Sequence, residues 1–264
     1  MNLEVNGRKR GSIMKIKAIF LLLILILIGS GGCSMKQKRE NKEEIILNER
    51  QKKILAESDL PIEYEELGYT QQKSIIAIEE MLQAVEAKYG MEFRYVGYIL
   101  PGPLNEEKLV VCAMDGYDSI DSFSVTREMV DGEYVYTDEY MCVAVRDAFS
   151  SYIETVIKTE LEMQHVKVFS SIANTSLEYV PEDYSEMEGT VWGQVTVFLD
   201  GGVYSEEQMS EFTLTLKDWM KEHDMECILR VVLLKENILP ELNRFNYTDY
   251  FKEHCLKDIY TSIS

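Results

Sequence analysis

The chain has 264 residues, with 46 acidic side chains against 27 basic ones and a formal charge of −19. An excess of that sign repels nucleic acid and anionic lipid headgroups, so no nucleic-acid partner is expected. The length fits one domain or two.

The first 33 residues fall into three zones. Arg8, Lys9, Arg10, Lys15 and Lys17 form a basic flank, and an unbroken apolar run follows over the eleven residues Ala18 to Ile28. Small residues then lead up to Cys33. At about 1.5 Å rise per residue the run reaches roughly 17 Å as a helix, against about 30 Å for a bilayer core. It therefore reads as a secretory signal rather than a permanent span. Met14, just before Lys15, is a second candidate start. The segment Ser30-Gly31-Gly32-Cys33 resembles the lipobox of bacterial lipoproteins, although Ser30 stands where that family usually has leucine. The resemblance covers the leader alone. It implies that the Cys33 thiol carries a diacylglyceryl group and that the chain is cut just before it. Residues 1–33 are then a lipoprotein signal peptide, and the product is anchored through lipid at the extracytoplasmic face of the cell membrane. Polar residues 34–42 follow as a flexible tether. Lys36, Lys38, Arg39 and Lys42 within it add a second, electrostatic attraction to the bilayer, because one acyl signal anchors weakly.

The leader holds five of the basic residues and one of the acidic ones, leaving 22 basic against 45 acidic, a formal charge of −23 beyond Cys33. From Glu43 the pattern is helical to about Glu57. A stronger helix runs from about Thr70 to Tyr89, with Ile75, Ile78, Leu82 and Val85 on one stripe and Gly90 placed to end it. Strands follow at Phe93–Ile99, Lys108–Met114, Ser122–Val130 and Glu133–Thr137. The last two flank Asp131-Gly132, a strong hairpin signal. A helix over about Glu139 to Met163 is expected to cover this first sheet, through Val145, Phe149, Ile153, Val156 and Ile157.

Val166–Ile172 and Thr190–Leu199 read as strands on either side of an acidic, irregular passage. Ser205 and Gln208 fit a capping box at the start of a helix whose apolar stripe is Met209, Phe212, Leu216 and Trp219. Cys227–Leu234 is almost continuously apolar, as in a strand buried on both faces. A final helix is expected over about Thr248 to Tyr260, with Phe251, Cys255 and Ile259 on one face. The fold class is α+β, read as two small lobes over 43–165 and 166–264.

The chemistry-bearing residues are sparse. No nucleophile elbow, zinc-binding HExxH, phosphate loop or dinucleotide fingerprint occurs, so no cofactor is implied. His165, His223 and His254 lack zinc-ligand spacing. Cys112, Cys142, Cys227 and Cys255 read as free thiols, the first and third in apolar strands where cysteine packs as a small hydrophobe, although export also permits disulfides and none has CxxC spacing. Asp115, Asp118 and Asp121 in one loop are a candidate calcium site, although acidic turns between strands are common for conformational reasons. Carboxylate clusters at Glu63, Glu65 and Glu66, and at Glu182, Asp183, Glu186 and Glu188, read as solvated faces. They leave open an envelope hydrolase working through paired carboxylates. The leading reading is a non-catalytic domain that binds an envelope protein or a small ligand. Its contact residues are Tyr134 and Tyr136, two apart and so on one hairpin face, with Glu133 and Asp138 steering association. A related reading is an immunity or sequestration lipoprotein that captures cationic peptides.

Overall fold

The structure, a computed structural model, describes residues 45–264. The segments read as signal peptide (1–33, with Cys33) and tether (34–42) lie outside the described residues.

Helix α1 (Glu49–Glu57) opens on a capping box. The Asn48 side chain accepts from the Gln51 N–H, and the Gln51 amide oxygen accepts from the Asn48 N–H. Helix α2 (Tyr69–Tyr89) ends at Gly90, whose φ of 66° is the left-handed value that glycine adopts without strain. Arg50 ties the two helices together. It donates from Nε and Nη2 to Glu79 at 3.0 and 2.8 Å, and from Nη1 to both oxygens of Glu86 at 2.6 and 2.8 Å.

Four antiparallel strands follow as a meander in the order β1-β2-β3-β4: β1 (Phe93–Ile99), β2 (Lys108–Ala113), β3 (Ser122–Val130) and β4 (Glu133–Asp138). Asp131 and Gly132 take φ values of 52° and 92°, which gives the hairpin the turn that matches strand twist. Alternation sorts this sheet into two unlike faces. Phe93, Leu109, Val111, Phe123 and Val125 join Ile75, Ile78, Met81, Leu82 and Val85 of α2 in one core. The other face carries Ser124, Thr126 and Thr137, the two threonine hydroxyls 2.6 Å apart.

The helical stretch after β4 comes in two pieces, α3 (Tyr140–Ala144) and α4 (Arg146–Thr159), and it does not cover the first sheet as expected. Its stripe, Val145, Phe149, Ile153, Val156 and Ile157, packs with Val168, Val195, Val197 and Leu229 of a second sheet. The physical reason lies in the first sheet, whose apolar face α2 already occupies and whose other face is polar.

The second sheet has the order β5-β6-β7-β8, with β5 (Val166–Thr175), β6 (Val191–Asp200), β7 (Cys227–Leu234) and β8 (Cys255–Ile263). Helix α5 (Glu206–Glu222) crosses over between the parallel neighbours β6 and β7, and the other pairs are antiparallel. The Ser205–Gln208 capping box forms at its start. Helices α4 and α5 cover one face of the sheet. On the other, Phe198, Val232 and Leu234 meet Tyr247, Tyr250 and Phe251 from α6 (Tyr247–His254). Strand β7 is therefore buried on both faces, as its apolar run predicts.

The expected final helix stops at His254, and Cys255–Ile263 is a strand with strictly alternating exposure. Cys255 and Ile259 are four apart, a spacing read as one helical face, but a register irregularity at Leu233/Leu234 separates them, and Cys255 packs on the α6 side of the sheet while Ile259 packs on the other. Ile259, Thr261 and Ile263 are β-branched and face the core, which favours the strand. The whole is an α+β fold.

Candidate functional site

The hairpin tyrosines lie on the side of the first sheet that α2 covers. Arg127 pairs across the strands with Tyr136, and Met129 with Tyr134. Tyr136 packs against the first core. Tyr134 is half-exposed, and the Arg127 guanidinium stands 4.1 Å from its ring centre. Arg127 is in turn held by Glu107 at 2.7 Å and Glu80 at 2.5 Å, and the Tyr98 hydroxyl donates to Glu107. Burial alone would raise the Glu107 carboxyl; Arg127 and Tyr98 reverse that and hold it below the usual carboxylate range.

Glu133 is exposed at the hairpin. Asp138 is not available to steer a partner. It accepts from Lys88 Nζ and the Tyr89 hydroxyl, both at 2.8 Å, and from the Tyr140 N–H at 3.0 Å. It anchors the end of the sheet to α2 and to the start of α3.

The calcium candidates do not converge on a common centre. Asp118 is ion-paired with Arg94, while Asp121 turns the other way, to Arg146 and Arg244. Among the described residues no three His, Cys, Asp or Glu side chains are placed to hold a metal ion. The four described cysteines are free thiols. Burial raises the thiols of Cys112 and Cys142, and pushes Cys227 up to about 12. The histidines serve local contacts: His223 stacks on Trp219 at 3.9 Å, and His254 lies 5.4 Å from Tyr250. His165 lies 6.4 Å from Tyr204.

The turn that supplies Asp121 instead borders a cleft of about 540 Å³, set between residues 119–123, the α3–α4 junction, β5 and residues 244–248. Two arginines and two aspartates meet there. Arg146 donates from Nη2 to Asp121 Oδ1 at 2.8 Å, from Nε to Asp147 Oδ1 at 3.0 Å, and from Nη1 to the Ile120 carbonyl at 2.7 Å. Arg244 spans the same two carboxylates, with Nη2 on Asp121 Oδ2 at 3.3 Å and Nη1 on Asp147 Oδ2 at 2.9 Å. Burial pushes the Asp121 carboxyl up, but Arg146, the Tyr117 N–H and Arg244 outweigh it and hold it below the ordinary carboxylate range.

Behind Arg146, the hydroxyls of Ser150 and Ser170 lie 2.7 Å apart, and each approaches the Arg146 carbonyl at 2.9 Å. They satisfy one another in the interior, and no histidine lines the cleft to activate either. The half-exposed ring of Phe245 lines the cleft, and that of Tyr117 meets it edge to face at 4.7 Å. The sequence flags Asp121 but neither arginine. The three residues come from a turn, a helix start and a late loop, and no spacing announces their meeting.

No protein-family model and no curated protein matches the chain. Among solved structures it is similar to a DUF5037 family protein from Ruminococcus gnavus, whose crystal structure was determined at 2.55 Å. The identity is 11% and the TM-score 0.36, over 70% of this chain and 90% of that one. A likeness of that size carries no argument about activity, ligand or partner.

Proposed function

We propose that the chain is a lipoprotein, held by lipid on Cys33 at the extracytoplasmic face of the cell membrane, and that residues 43–264 form a non-catalytic binding domain. The carrying observation is the order of the leader, a basic flank and a short apolar run closed by Ser30-Gly31-Gly32-Cys33. No helix among the described residues is long and apolar enough to cross a membrane. Support for binding comes from the polar cleft at Arg146 and Arg244, which has paired charges and aromatic rims but no histidine beside a hydroxyl or thiol. Its ligand is a small molecule, or a segment of an envelope protein. Capture of a cationic peptide is the second reading, motivated by the formal charge of −23 beyond Cys33.

The anchor is tested by growing the producing cells with radiolabelled palmitate and comparing the parent with Cys33→Ala. The parent is expected to carry label and the variant none. Equal labelling of the two removes the lipoprotein reading.

A further inference from the structure

We infer that the cleft beside Arg146 and Arg244 binds the carboxylate of an amphiphilic acid, and that Asp147 occupies the position of that carboxylate in the empty protein. The inference deepens the binding reading above and is independent of the lipid anchor.

The two aspartates between the arginines are not equivalent. Asp121 is the inner one, its side chain 7% exposed, and it also accepts the Tyr117 N–H at 2.8 Å. It is fixed from three directions. Asp147 is the outer one, 59% exposed, and its described contacts are one oxygen on each guanidinium. Asp147 bridges the two guanidinium groups with one charge-assisted hydrogen bond to each, so a single carboxylate with its two oxygens turned to different arginines fits the pair. An ion pair so exposed contributes little, about 0–1 kcal/mol, and costs little to exchange. Removal of Asp147 from the arginines leaves two positive charges against the buried carboxylate of Asp121; Glu139, also in the lining, is exposed to solvent and accepts the Ser124 N–H at 3.3 Å. An incoming carboxylate restores the balance and makes the same contacts.

The neighbourhood supplies what Asp147 cannot use. Phe245 lines the cleft and is 51% exposed, and Tyr117, 54% exposed, packs edge to face against it. Val143, Phe169 and Ile172 contribute apolar surface to the lining. A ligand with an apolar body next to its carboxylate covers that surface while its head engages the arginines. The volume, about 540 Å³, falls within the range of roughly 300–1,000 Å³ typical of small-molecule sites. Arginine stays charged throughout the accessible pH range, so the site needs no activation.

The acid could be free or the C-terminus of a peptide, and the test separates the two. Equilibrium dialysis of the full-length, detergent-solubilised protein is run with 3-phenylpropionate, its amide and phenylpropyl phosphate. A short peptide ending in phenylalanine is added, with a free or an amidated C-terminus. The expected result is that the free carboxylates bind at least about tenfold more tightly than their amides, with the small acid or the peptide preferred according to the source. Arg244→Gln should weaken carboxylate binding about tenfold or more. Asp147→Asn should strengthen it about tenfold, because the internal competitor is gone, an effect that a merely structural Asp147 would not produce. Thermal melts of both variants establish that they are folded.

Equal binding of acids and amides overturns the inference. So does weaker or unchanged binding by Asp147→Asn, or a phosphate that binds where the carboxylates do not. If no probe binds, the carboxylate site is rejected while the broader binding reading stands or falls separately, on recovery of a partner from envelope extract with the parent and not with Phe245→Ala, a change in the cleft lining that leaves both arginines in place.

Discussion

The two sheets solve the same problem differently. The first is an antiparallel meander with one apolar face under α2 and one polar face, so its strands alternate. The second holds a parallel pair at its centre and takes helices on both sides, so β7 is apolar almost throughout. Of the helical stretch that follows the first sheet, α3 reaches the first core through Tyr140 and Val143, while the longer α4 packs against the second sheet, because α2 already covers the apolar face of the first. Chain order does not decide which sheet a helix covers; the unfilled apolar face does.

The comparison can be broken most forcefully in the cores. Trp219, which also donates from Nε1 to Glu160 at 2.8 Å, belongs to the second core, and its replacement by alanine should cost about 3–5 kcal/mol. Leu82 is fully buried in the first, and Leu82→Ala should cost about 2–5 kcal/mol. Both tryptophans, Trp192 and Trp219, lie in the second half, so their fluorescence in a urea melt reports that core alone. Tyr89 and Tyr140 pack against both cores, and the Asp121 network joins the first sheet's turn to α4. Leu82→Ala is therefore expected to lower the fluorescence midpoint as much as it lowers the midpoint by circular dichroism. An unmoved fluorescence midpoint would show two sheets that melt independently.

A smaller effect sharpens the link between them. Asp121→Asn should cost about 1–3 kcal/mol at neutral pH, the penalty for leaving buried donors poorly matched. Asp121, Glu79 and Glu107 are all held below the ordinary carboxylate range: burial opposes ionisation in each, and an arginine outweighs it. Unfolded carboxyls titrate near about 4. The stability these groups contribute is complete above that pH and is lost as pH falls through their folded values. The urea midpoint should hold from pH 7 to about 5 and drop below about 4. Asp121→Asn should lose less over that interval than the parent, and an equal loss would remove Asp121 from the account.

The smallest expected change is at the hairpin. Tyr134→Ala forfeits a half-exposed ring over Arg127 and should cost under about 1 kcal/mol. Tyr136→Ala should cost more, because that ring packs against the first core. The reverse order in a thermal melt would mean that the two positions are misassigned.

Much of the fold was legible because local chemistry and burial agree. Asp131-Gly132 can hardly be anything but a turn, Ser205 and Gln208 cap each other, and the apolar run of β7 matches its place between helices. The final strand escapes the sequence reading because Phe251, Cys255 and Ile259 recur every four residues, a helical spacing, although Phe251 lies in a short helix and the other two face opposite sides of the sheet. The lost signal was the β-branched alternation of Ile259, Thr261 and Ile263. The candidate site was barely legible. Asp121 stood out only as part of an acidic loop, and its partners lie 25 and 123 residues away. Long-range charge pairing leaves no period in a single sequence, whereas helical stripes do.

The arginines have a further consequence. All six in the described residues, Arg50, Arg94, Arg127, Arg146, Arg230 and Arg244, are engaged by carboxylates. Lysines also pair, Lys53 with Glu57 and Lys88 with Asp138, but these two stay 74% and 56% exposed, while no described arginine exceeds 33%. Two kinds of covalent probe should therefore record different things about the native molecule. An amine-reactive reagent maps its outer skin at once. A dicarbonyl that condenses with these six guanidinium groups must wait for the ties between elements to open, so its slow uptake there is a clock for the breathing of the fold.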